Sequence, residues 1–85
     1  MEVKDLIKIL ETKYKSSKGF MGVNLDGVTT PEDLFENVKD EILVIEDIIE
    51  NSYIEHEEAY DMTEREAKGY VKKLNNFLTK YEKMD

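Results

Sequence analysis

The chain has 85 residues, no cysteine and no tryptophan, and its twenty acidic residues against twelve basic ones leave a formal net charge of −8. This length suits one domain with a modest core, and the absence of cysteine excludes both a disulfide framework and a thiolate metal site. The charge argues against direct nucleic-acid binding, and no apolar run approaches the roughly 20 residues that span a bilayer, so a soluble, cytoplasmic protein is expected.

Residues 2–15 place Val3, Leu6, Ile7, Leu10 and Tyr14 on one stripe and Lys4, Asp5, Lys8, Glu11 and Lys15 around it, which predicts an amphipathic helix. Ile9 widens the stripe toward a second neighbour. The mixed charges and the lack of Trp disfavour a membrane-surface helix.

Residues 16–30, SSKGFMGVNLDGVTT, break the helical period. Three glycines and two serines end the first helix, Met21, Val23 and Leu25 alternate with small or polar residues, and Asp26-Gly27 is a turn signal. A short extended or hairpin-like insertion laid over the bundle is expected. Its alternative is a partner-binding tip with Phe20 and Met21 exposed between glycines. The glycines match neither phosphate-cradling pattern, GxxxxGK[ST] or GxGxxG.

The segment 31–60 organises the chain. Thr30 and Pro31 mark a helix start, with Glu32 and Asp33 where the helix dipole favours negative charge. Leu34, Val38, Ile42, Ile45, Ile48, Ile49 and Tyr53 then recur every three or four residues, with Phe35 and Val44 at the margins of a broad apolar arc. Asn51 and Ser52 are weak helix formers, so a stop or bend is expected near them. A straight helix over 31–60 would run about 45 Å and outreach its neighbours, leaving apolar surface for a second copy of the chain.

The same segment holds eleven of the twenty acids and one of the twelve bases, a net of −10, whereas the other 55 residues sum to +2. The carboxylates of Glu36, Asp40, Asp47, Glu50, Glu57 and Glu58 form a ridge on the side away from the apolar arc. Such a ridge attracts a basic protein surface, and its plainer alternative is solubility alone.

The only histidine, His56, lies among Glu55, Glu57 and Glu58, but no further ligand stands three or four residues away, so no metal site is expected. Asp33-x-x-Glu36 and Asp47-x-x-Glu50 resemble, in spacing alone, the carboxylate pairs with which all-α nucleotide pyrophosphohydrolases hold magnesium. Here the pairs fall opposite the apolar face rather than in a groove, so the enzyme reading is not adopted. Neither a nucleophilic set nor an EF-hand spacing is present.

Thr63-Glu64-Arg65-Glu66 reads as a capping box for a last helix over about 64–83. Ala67, Tyr70, Val71, Leu74, Phe77, Leu78 and Tyr81 form its seam. Lysines on this helix complement the acidic one before it, and exposed pairs between the two are expected to neutralise part of the ridge.

The expectation is an all-α three-helix bundle without cofactor or catalysis. Its expected role is that of an acidic inhibitor occupying a basic surface of a partner protein, in its concrete form one that binds nucleic acid. An assembly adaptor or homodimer held by leftover apolar surface is the alternative. In general character the chain resembles bacteriocin-immunity-type proteins and phage-encoded inhibitors, without a motif that assigns it to either.

Overall fold

A computed structural model describes residues 2–15, 23–50 and 64–82. They form three helices, α1 (Val3–Lys13), α2 (Pro31–Glu50) and α3 (Glu64–Tyr81), with no strand among the described residues. Each helix forms where apolar side chains repeat at threes and fours, and each turns that stripe inward.

α2 and α3 make the most extensive pair. Lys39, in the first half of α2, is ion-paired with Glu82 just past the end of α3, while Glu46, Ile49 and Glu50 lie beside Lys68 and Val71. The two helices are therefore antiparallel. α1 packs against this pair through Leu6 and Leu10, and Lys73 of α3 donates a hydrogen bond to the Lys15 carbonyl just after α1 ends (3.0 Å).

The seam expected on α3 is the seam observed: Ala67, Tyr70, Val71, Leu74, Phe77 and Leu78 are buried, and Tyr81 is partly so. On α2, Leu34, Val38, Ile42 and Ile45 are buried, and Ile48 and Ile49 pack partly on the core. The two residues at the margins of the arc separate. Phe35 lies about 70° from the arc's centre and is buried, whereas Val44, about 110° away on the other side, is 45% exposed.

The start of α2 is built as its sequence implies. The Asp33 N–H donates to Thr30 Oγ1 (3.2 Å), satisfying one of the amides that a helix start leaves open. In return Asp33 Oδ2 accepts from the N–H and the hydroxyl of Thr29 (3.4 and 3.3 Å). Backbone donation from Thr29, with help from the two threonine side chains, holds the Asp33 carboxyl below its ordinary value of 3.8.

A depressed carboxyl contributes stability that is complete above its unfolded value and is lost as pH falls through the folded one. Urea unfolding should show this cap weakening only below about pH 3.8. An Asp33→Asn variant should lose that portion of the acid sensitivity, and unchanged acid sensitivity would contradict the assignment.

Among residues 23–30 the expected turn is present but no strand or hairpin is. Leu25 O accepts from the Val28 N–H (3.3 Å) across Asp26-Gly27, and Gly27 has φ +74°, so the expected turn forms. Its flanks do not pair as strands because each is used elsewhere. Val23 is buried, Leu25 and Val28 lean on the core, and the Asn24 carbonyl accepts from Asn37 Nδ2 of α2 (2.7 Å). Core cover is thus the role of this part of the segment.

α2 is described over 20 residues and α3 over 18. The possible bend near Asn51, the stretch to Tyr60 and the Thr63 capping box lie outside the described residues, as do Phe20 and Met21.

Candidate interaction surface

α2 commits its apolar arc to the core, and that commitment forces the other side chains outward. Glu36, Asp40, Asp47 and Glu50 are all exposed. Taken with Leu43 they stand at steps of four, three, four and three residues, within about 80° of arc and along about 21 Å of helix. Leu43 sits in the middle of this line and is 65% exposed.

Five of the eight carboxylates of α2 are distinguished by their surroundings. Asp33 belongs to the helix cap. Glu41 is only 6% exposed and its Oε2 is shielded from solvent, so it belongs to the interior. Glu46 and Glu50 border an apolar groove of about 270 Å³ floored by Ile49 and Val71, with Lys68 on its far wall. Asp40 borders a smaller, more polar cleft with Asn24, Asn37, Glu41 and Val44.

The burial of Glu41 was not anticipated, although its sign is in the sequence. At about 50° from the centre of the apolar arc, it falls between Ile45 and Ile48 around the helix, on its inner side.

Lys39 is the single base of α2, and it is engaged chiefly by Glu82, with a smaller attraction to Glu36 of the line. Its ammonium is ion-paired with Glu82, whose hydrogen bond raises the lysine above its ordinary value of 10.5. This pair runs opposite to the direction expected, with the lysine on the acidic helix. Of the α3 lysines, Lys68 pairs with Glu64 one turn back on its own helix (3.8 Å), and Lys73 is directed to the end of α1. Lys68 thus uses one of the two carboxylates that α3 carries on its own first turn.

Four of the six carboxylates assigned to the ridge are therefore brought together on one face of α2. Glu57, Glu58 and His56 lie outside the described residues, as do the second candidate contacts, Phe20 and Met21. No helix among the described residues is long and apolar enough to cross a membrane. Comparisons with protein families, curated proteins and solved structures find no match, so the residues themselves carry the functional reading.

Proposed function

We propose that the chain is a non-catalytic interaction protein that presents the outer face of α2 to a basic surface on another protein. It acts as an antagonist when that surface is one that binds nucleic acid. The observation that supports this reading is the placement of Glu36, Asp40, Asp47 and Glu50 on one exposed side of α2, clear of the core, with Lys39 occupied by Glu82. A row of carboxylates on a rigid helix offers negative charge at fixed intervals, which steers a cationic surface into contact and competes with phosphate for the same lysines and arginines.

The homodimer reading draws on the exposure of Leu43 and Val44. It is the weaker of the two for this face, because two copies meeting there would set carboxylate against carboxylate.

The test is capture on the immobilised chain from the native host's lysate at low salt, with elution in rising salt, alongside the mass of the pure chain by light scattering. The expected result is a nucleic-acid-binding protein released by salt, whose nucleic acid the chain displaces in a competition assay. A stable dimer that retains nothing would overturn the reading.

A further inference from the structure

Leu43 and Val44 are the large hydrophobic residues that α2 leaves exposed, and they are adjacent, at the middle of the helix. Single exposed apolar residues are ordinary on a protein surface. These two differ in their setting. Leu43 is the centre of the 36, 40, 43, 47, 50 line, and alternating steps of four and three are the spacing along which one helix seats another. The positions that flank the centre are carboxylates.

On the reading that α2's outer face binds a basic surface, we propose that the surface is a basic amphipathic helix of the partner. Its central apolar residue sits on Leu43, with Val44 at the edge of the contact beyond Asp40, and its lysines or arginines lie against Glu36, Asp40, Asp47 and Glu50. Charge complementarity selects this occupant. A second copy of the chain would bring the same carboxylates face to face, and an anionic membrane would be repelled by them. A wholly polar cationic surface would satisfy the acids but leave Leu43 in water. A helix with an apolar residue between basic ones satisfies both, as helix-in-groove partners do.

The experiment uses the full chain and two labelled synthetic helical peptides of equal length and equal lysine content, one with leucine along its seam and one with alanine there. Binding is followed by fluorescence anisotropy at low and at physiological salt. Both peptides should bind the wild-type chain more weakly as salt rises, and the leucine peptide should bind about tenfold more tightly, the effect of burying one leucine side chain that is already partly covered. A Leu43→Ser, Val44→Ser double variant, whose fold is checked by circular dichroism, should abolish that preference and keep the salt dependence.

Equal, salt-sensitive binding of the two peptides would overturn the helix seat and leave the acidic-face reading standing. A leucine preference that survives the double variant would also overturn it, since the peptide would then be bound elsewhere. Absence of salt-sensitive binding by either peptide would count against both.

Discussion

Replacing Phe77 with Ala should destabilise the domain by about 3–5 kcal/mol, a large part of the roughly 4–13 kcal/mol expected for a chain of this size. Phe77 is fully buried, and its ring lies 5.5 Å from Tyr14, 6.1 Å from Phe35 and 5.2 Å from Tyr81, centroid to centroid. Those neighbours come from the end of α1, from α2 and from the last turn of α3, so one side chain holds the ends of all three helices together. Its removal loses the transfer free energy of a large ring and leaves a cavity that three rigid helices cannot close.

Thermal melts by circular dichroism should show the midpoint falling by at least about 12 °C. Phe77→Leu, which retains most of the volume, should recover much of the loss. A change below about 1 kcal/mol in the alanine variant would mean that the ring does not join the three helices.

Reversing Glu36, Asp40 and Glu50 together to lysine should weaken binding of a basic partner at low salt by about a hundredfold or more. The line of four carboxylates would change from −4 to +2 and the chain from −8 to −2, and like charges set against each other across an interface cost several kcal/mol. All three positions are exposed, so folding should change little, within about 0.5 kcal/mol for each substitution. Titration of the captured partner by calorimetry at low and high salt reads the effect. The difference between wild type and variant should shrink as salt rises, because exposed charges are screened over about 10 Å at 0.1 M. Retained affinity in a folded triple variant would remove the acidic face from the interaction and favour the reading in which these carboxylates serve only solubility.

What could be read from the sequence was what a helix decides locally. A period near 3.6 residues identifies each helix and the face it buries without knowledge of its neighbours, which is why the α3 seam from Ala67 to Tyr81 and the central α2 positions Leu34, Val38, Ile42 and Ile45 hold. The Thr30 cap was legible for the same reason, since a cap joins residues three apart in the chain. The exposure of Glu36, Asp40, Asp47 and Glu50 follows from the same period, as the side left over once the apolar arc is turned inward.

Only the packing of the helices decided the margins and the pairings. Phe35 is buried and Val44 exposed because α3 and the rings of Phe77 and its neighbours lie on one side of α2 and not equally on the other. Glu41 is enclosed because its helical position places it within the arc that the core covers, whatever its charge. Asp26-Gly27 forms its turn from local preference alone, yet the residues beside it make no hairpin, since Asn24 and Val23 find partners on α2 and in the core. Lys39 meets Glu82 because the antiparallel crossing sets the first half of α2 beside the end of α3. Periodicity along one segment therefore determined which faces are apolar and which are acidic, whereas distances between segments remote in sequence, which no local pattern encodes, determined what each margin residue touches.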